Sequence, residues 1–180
     1  MESKYEIKIN IFQVFVKSFS SLCKNILFWI WILLSLGIYV GMNRIGIQKN
    51  FHVSVFLTPG ITGLSFTLAL IAATTRIFDY DDLAAIFLYE DRVNDVKLGQ
   101  EYYDLIAPYL LSSLLWVTTS IIALLDFAFN LDFYWVKFTE LVFVVGGILS
   151  LWQLLYAHLQ DVSEKAQTKI NEFIEDEDKK

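Results

Sequence analysis

The chain has 180 residues, of which 56 % are hydrophobic and 16 % aromatic, and its formal net charge is −6. The apolar residues fall into four blocks of membrane-spanning length, a pattern that excludes an ordinary soluble domain and predicts a polytopic membrane protein. The acidic balance argues against direct nucleic-acid binding, and a single cysteine excludes a disulfide framework.

The first 24 residues precede the first apolar block, and we expect them to form a cytosolic or interfacial segment. Their lysines would meet anionic lipid headgroups; the alternative is a local basic pocket for a cytosolic partner or ligand. These lysines are Lys4, Lys8, Lys17 and Lys24. The first predicted span covers residues 25–42, where Trp29 and Trp31 fit an aromatic belt at the membrane interface.

The second predicted span covers residues 56–78 and carries its small and polar residues at steps of three or four positions. On a helix they form one stripe on an otherwise Leu/Ile/Phe surface. This small-residue stripe comprises Thr58, Thr62, Ser65, Ala69, Ala72 and Arg76. Such a stripe lets membrane helices pack closely, either within one chain or between copies. Arg76 would bind lipid headgroups or pair with Asp79 or Asp82.

An acidic loop, residues 79–104, follows and is predicted to contain an amphipathic cytosolic helix ending near Gly99. Asp79, Asp81 and Asp82 open the loop, and an aspartate here would cap the helix. The cluster lacks the residue spacing of a Ca²⁺ loop, so no metal site is predicted. The same acidic groups are the predicted contact for a basic soluble partner.

The third and fourth predicted spans cover residues 105–127 and 135–157, and a charged cytosolic tail, residues 161–180, follows them. The polar positions here either hold the helices together or line a subunit interface or pore. In the third span they are Ser112, Thr119 and Asp126, beside Trp116 and Ala123.

Glu140 lies near the start of the fourth span, at the same predicted boundary as Asp126. An acidic ring at this boundary would favour cations entering a pore. In the alternative, Asp126 or Glu140 pairs with Lys137 or Arg44.

The distribution of basic residues predicts the orientation. Eleven Lys and Arg residues lie in the first segment, the middle loop and the tail, against three in the other two connections. Both termini and the acidic loop should therefore be cytoplasmic. The sequence contains no catalytic or nucleotide-binding fingerprint, so we predict neither an enzyme nor a bound cofactor. The predicted fold class is an all-α integral membrane protein with four transmembrane helices.

Residues 60–76 read GITGLSFTLALIAATTR, and residues 102–116 read YYDLIAPYLLSSLLW after the charged loop. This order of parts resembles the small four-helix membrane subunits of bacterial antiphage defence systems, namely the Hailong channel-like effector and the Kiwa membrane sensor. The resemblance implies a homo-oligomer in the bacterial inner membrane, a tetramer, that responds to a soluble cytosolic partner or a nucleotide-type ligand. It implies either a regulated channel-like effector or a non-conducting sensor that docks a soluble effector, and it carries over no catalytic residue.

Overall fold

A computed structural model of the chain describes residues 14, 16, 18, 25–45, 51–78, 80–90 and 98–178. These residues form helices joined by short connections, without a β-strand among them. Four of the helices are long and apolar enough to cross a membrane, which confirms the predicted all-α class. The α-helices whose bounds the structure describes are α1 (Ile26–Ile45), α2 (Leu57–Ile77), the short α3 (Tyr80–Leu88), α4 (Gln100–Phe129) and α5 (Tyr134–Asp178).

Local polar contacts set several helix ends. The Asn25 side chain accepts a hydrogen bond from the Leu27 amide at 2.9 Å and so caps the first turn of α1. Asn130 ends α4 in a left-handed conformation with φ of 51°, and its amide donates to the Asp126 carbonyl at 2.8 Å. Asparagine tolerates this conformation better than most residues, so it suits a helix C-terminus.

The middle loop differs from the prediction in its boundaries. The helix predicted to reach Gly99 ends at Leu88 in the described part of the loop, and residues 91–97 lie outside it. Gly99 instead precedes α4, with φ of +75°, and its amide donates to the Phe87 carbonyl at 2.9 Å. Because α4 begins at Gln100, Pro108 lies in the helix interior.

The pairs α1–α5, α2–α4 and α4–α5 pack antiparallel, whereas α2 and α5 run parallel, with α4 and α5 at the centre. Trp116 of α4 lies against Gly63 of α2 and Gly147 of α5, while α1 packs mainly on α5. Trp31 lies against Gly146, and its indole N–H donates to the Val142 carbonyl at 2.9 Å. This contact holds one face of α1 on α5.

Asp126 lies at one end of the bundle and Arg76 lies at the other. At the Asp126 end, a 3-10 turn (Val53–Phe56) packs on α4 just before α2 begins. At the Arg76 end, α2 leads into α3, and α5 continues as one helix beyond the predicted tail boundary at residue 161. Each residue of an α-helix adds about 1.5 Å to its length. The 45-residue helix α5 is therefore about twice as long as the roughly 30 Å thickness of the hydrocarbon core.

Candidate functional site

The small-residue stripe of α2 lies on the surface of the chain. All six of its residues, from Thr58 to Arg76, are exposed. With about 100° between successive residues, Ser65 and Ala69 stand roughly 160° around the helix from the buried Thr67. The stripe therefore faces away from the other helices of its own chain.

The opposite face of α2 makes the contacts within the chain. Gly60, Gly63, Thr67, Leu70 and Thr74 are buried on it. An added Cβ at Gly60 would lie 2.6 Å from the Ser120 hydroxyl oxygen, which is too close for any side chain. The α2–α4 contact thus depends on small residues that the sequence analysis did not single out, although their spacing of three and four residues was a signal for them.

Trp116 fills the centre of the bundle. A Cβ at Gly63 would meet the indole ring at 2.3 Å, and one at Gly147 would meet it at 2.7 Å. The indole therefore occupies the space between α2 and α5, with only 3 % of Trp116 exposed. A continuous passage along the inside of a single chain is closed at this level.

Three hydroxyl groups join α2, α4 and α5 next to this indole. Ser112 lies 3.1 Å from Thr67 and 3.0 Å from Ser150, oxygen to oxygen. Thr67 also reaches the Gly63 carbonyl at 2.9 Å, and Ser150 reaches the Gly147 carbonyl at 2.8 Å. These bonds satisfy polar groups that would be costly to bury alone.

A second polar contact joins the same three helices toward the Arg76 end. The Thr74 hydroxyl lies 2.7 Å from the Tyr109 phenol oxygen and 3.4 Å from Nδ1 of His158. These groups come from α2, α4 and α5, so the contact holds the three helices together in the half of the bundle near Arg76.

The polar positions of α4 face the interior, unlike those of α2. Asp126 is buried, and its Oδ2 accepts a hydrogen bond from the Ser54 amide at 2.8 Å. It thereby holds the 3-10 turn against α4. The predicted interface or pore positions that lie inside the chain are Ser112, Thr119, Asp126 and Glu140.

Glu140 is the most enclosed carboxyl group in the described part of the chain, with no exposed surface. Neither of its carboxylate oxygens has a hydrogen-bond partner among the described residues, and the same holds for the buried Thr119 hydroxyl. Glu140 therefore forms no hydrogen bond with Lys137 or Arg44, which were its predicted partners.

Lys137 instead forms an ion pair with Asp132 in the turn between α4 and α5. The hydrogen bond and the charge of Lys137 hold the pKa of the Asp132 carboxyl below its ordinary value, with a smaller contribution from His52. The Lys137 ammonium also lies 5.7 Å from the centre of the Phe51 ring. Its charge is thus compensated at the Asp126 end of the bundle.

The structure describes only some of the residues that were predicted to contact a cytosolic partner or ligand. Asp82 of α3 pairs with Lys165 of α5 at 2.8 Å, and the Lys165 ammonium lies 5.4 Å from the centre of the Phe78 ring. Asp81 is exposed. Five predicted positions lie outside the described residues: Lys4, Lys8, Lys17, Lys24 and Asp79.

An apolar groove of about 250 Å³ opens between α2, α3 and α4 at the Arg76 end. Ile71, Leu83, Leu105 and Ile106 are among its lining residues, and Thr75 and Ser113 add hydroxyl groups. The described residues contain no group of three or more His, Cys, Asp or Glu side chains able to hold a metal ion together.

Comparison with known proteins finds no matching family model, no similar curated protein and no similar solved structure. The functional argument for this chain therefore depends on its own sequence and geometry.

Proposed function

We propose that the chain is a multi-pass subunit of the bacterial inner membrane that self-associates through α2 and acts as a regulated channel-like effector. The observation that carries this proposal is the outward direction of the small-residue stripe. In a bilayer, small residues on an exposed helix face let a second helix approach closely, and hydroxyl groups beside them can hydrogen-bond across the contact. The Ser65 hydroxyl also donates to the Ile61 carbonyl of its own helix at 2.9 Å. A second copy of α2 offers a matching surface.

The packed interior of one copy favours a pore between copies. Because the Trp116 indole fills the space between Gly63 and Gly147, ions would pass between copies and not through one copy. Thr58, Thr62 and Ser65 would then supply hydroxyl groups along the path. A closed symmetric assembly is the usual arrangement for such self-association, and the predicted number of copies is four.

Activation would come from a cytosolic partner or nucleotide-type ligand that binds one state of the assembly better than the other. Arg76 lies next to α3, which contacts α5 through Asp82 and Lys165. This end of the chain therefore links the stripe to the segments most accessible from the cytosol. The assignment to antiphage defence is supported by the sequence resemblance.

Cysteine cross-linking tests the assembly. In a Cys23→Ala background, Ser65→Cys should give disulfide-linked dimers in membranes. Ile121→Cys is the matched control, because Ile121 is an exposed position of α4 outside the stripe. Equal cross-linking at both positions, or none at Ser65, would count against self-association through α2.

Membrane-potential measurements test conduction. Cells that express the chain with its operon neighbours should depolarise upon phage infection, and Ser65→Trp, which disrupts the stripe, should abolish the response. A potential that stays unchanged under every condition, infection included, would refute the channel while leaving the cross-linking result to stand.

The second candidate function is a non-conducting sensor that docks a basic soluble effector. The exposed Asp81 and the exposed amphipathic end of α5 favour it, since Leu159, Val162 and Ile170 leave apolar surface uncovered there. Asp81→Lys should then abolish co-purification of the operon-encoded effector, whereas Glu101→Lys, another exposed acid, should not.

A further inference from the structure

The helix α5 carries an exposed apolar face that repeats every eleven residues. Ile148, Leu159 and Ile170 are spaced at this interval, and they are 56 %, 57 % and 50 % exposed. The face is therefore as open in the predicted span as in the part of α5 that continues beyond it. The other exposed residues of this α5 apolar face are Trp152, Val162 and Ile174.

The interval of eleven residues keeps one face of a long helix in line. Eleven residues make three turns of about 3.67 residues, so the face moves by only about 20° per repeat around an α-helix. In the sequence, the same interval separates Val162 from Phe173, and two intervals separate Trp152 from Ile174. No large apolar residue between positions 159 and 174 lies outside this pattern. The sequence beyond the span therefore specifies a single apolar face.

The contacts of α5 with its own chain use a different side of the helix. His158 Nδ1 lies 3.4 Å from the Thr74 hydroxyl, and Lys165 pairs with Asp82 at 2.8 Å. With about 100° between successive residues, Leu159 stands roughly 100–120° around α5 from His158 and Lys165. These contacts hold α5 with its apolar face directed away from α2 and α3 at the Arg76 end.

Lipid can cover only one half of the α5 apolar face. Ile170 lies 22 residues beyond Ile148, which is about 33 Å along the helix axis. Because α5 continues from the predicted span without a break, this half projects away from the bilayer. Helices that lie on an anionic membrane surface are rich in Lys and Arg, whereas residues 159–174 contain three acidic and two basic residues. An exposed apolar surface in this position indicates a protein contact.

The half of the face inside the predicted span lies beside the small-residue stripe of α2. Thr62 of the stripe lines one groove together with Ile148 and Trp152 of α5. A copy that packs on the stripe would therefore also meet α5. Copies in a cyclic assembly share one orientation in the membrane, so their α5 helices run parallel and present the same repeat at the same level. A second copy can follow the face at both levels, whereas a soluble partner does not reach the membrane half.

We propose that the α5 helices of neighbouring copies associate in parallel through the α5 apolar face and form a straight helical bundle beyond the membrane, on the Arg76 side. The proposal rests on the self-association proposed above and adds a second contact to the same assembly. Because acidic and basic residues nearly balance between positions 159 and 174, identical helices meet there without strong repulsion.

Cysteine cross-linking of the full chain in membranes tests this contact, in the Cys23→Ala background and with a short bismaleimide. Ile170→Cys and Leu159→Cys, one repeat apart, should link copies with similar yields. Thr168→Cys is the matched control, because this exposed residue lies on the opposite side of α5. Its yield should be at least about fivefold lower, since a straight bundle buries one helix face. The product should have twice the mass of the chain.

A charge placed in the contact gives an independent measurement. Ile170→Glu puts like charges opposite each other, so it should raise the dissociation constant for self-association at least about tenfold in detergent. Thr168→Glu, on the other side of α5, should leave this constant unchanged. Analytical ultracentrifugation measures it for the purified full chain. Because both positions are exposed in a single copy, both variants should retain the helix content of the wild type.

Three results would overturn the proposal. They are a yield at Ile170→Cys no higher than at Thr168→Cys, a product whose mass is not a multiple of the chain, and an unchanged dissociation constant in Ile170→Glu. The second result would assign the face to a different protein. If Ile170→Glu loses helix content, the cross-linking yields decide.

The α2 contact is measured separately with Ser65→Cys. If Ser65→Cys links copies and Ile170→Cys does not, self-association through α2 stands and the α5 bundle fails. Linking at Ile170→Cys alone supports the α5 contact and removes the contact through α2. Linking at neither position ends both proposals.

Discussion

At the scale of single residues, the glycines of this chain have two different roles. Gly63 and Gly147 lie against the Trp116 ring, and Gly146 lies against Trp31. Gly37 and Gly41 of α1 have nothing within 4 Å of an added Cβ. The first group permits close contact between a helix backbone and an indole ring, whereas the second has open space around it.

Gly63→Ala and Gly147→Ala should therefore destabilise the chain. The added methyl group would overlap the indole and force it or the helices to move, which typically costs about 1–3 kcal/mol. The measurement is the free energy of unfolding in detergent micelles.

Gly41→Ala is the control, because its Cβ would meet nothing within 4 Å. It should leave the free energy of unfolding unchanged or raise it slightly, since alanine favours the helix. Equal losses at Gly41 and Gly63 would show that the tight contact with Trp116 is not the cause.

At the scale of helices, α2 and α4 carry polar faces of similar composition that point in opposite directions. The stripe of α2 faces out, while Ser112 and Asp126 of α4 face the interior and are hydrogen-bonded to other segments. Central helices such as α4 have neighbours on several sides, so their polar groups find partners inside the chain. On a peripheral face the partners are the helix's own backbone, as for the Ser65 hydroxyl that donates to the Ile61 carbonyl at 2.9 Å, or another molecule.

Replacing Ser112 tests the contact that joins three helices. Ser112→Ala removes the hydroxyl between Thr67 and Ser150, and we expect a loss of about 0.5–1.5 kcal/mol in the free energy of unfolding. The loss stays modest because Thr67 and Ser150 retain their backbone carbonyl partners.

Ser113→Ala is the matched control on the neighbouring position. Ser113 lines the apolar groove at the Arg76 end and takes no part in the hydroxyl contact. Its replacement should change the free energy of unfolding by less than about 0.5 kcal/mol. If Ser112→Ala and Ser113→Ala lower the free energy of unfolding equally, the hydroxyl contact between the three helices contributes nothing beyond ordinary burial.

At the scale of the whole molecule, the number of helices constrains the topology. Four crossings of a membrane return the chain to the side on which it started, so both termini would share one side. The excess of Lys and Arg in the first segment, the middle loop and the tail predicts that this side is the cytoplasm. The exposed end of α5 would then extend into the cytosol.

Cysteine labelling in intact cells tests this orientation, again in the Cys23→Ala background. A membrane-impermeant maleimide should label Asn130→Cys in the turn between α4 and α5 without permeabilisation. Ala166→Cys on the exposed end of α5 should be labelled only after the membrane is opened. The reverse pattern would place both termini outside.

The helices could be predicted because apolar blocks and turn residues are local signals. The spans of α2 and α5 follow from hydropathy, and Pro59 near the start of α2 fits the first turn, where proline is tolerated. The helix α4 begins at Gln100, five residues before the predicted span, and its first turns, around Tyr102, carry polar groups that resemble a loop in sequence. The end of α3 at Leu88 could not be predicted, because no helix-breaking residue directly follows Leu88 in the sequence.

The sequence by itself determined the number of long apolar helices, the spacing of the polar positions and the basic-residue asymmetry, because each depends on residues close together in the chain. Only the tertiary structure decided that the stripe of α2 faces outward, that Trp116 closes the interior and that Glu140 is enclosed without a described partner. These properties depend on which residues of distant helices meet. Periodicity defines a helix face, but it does not identify the neighbour that covers it.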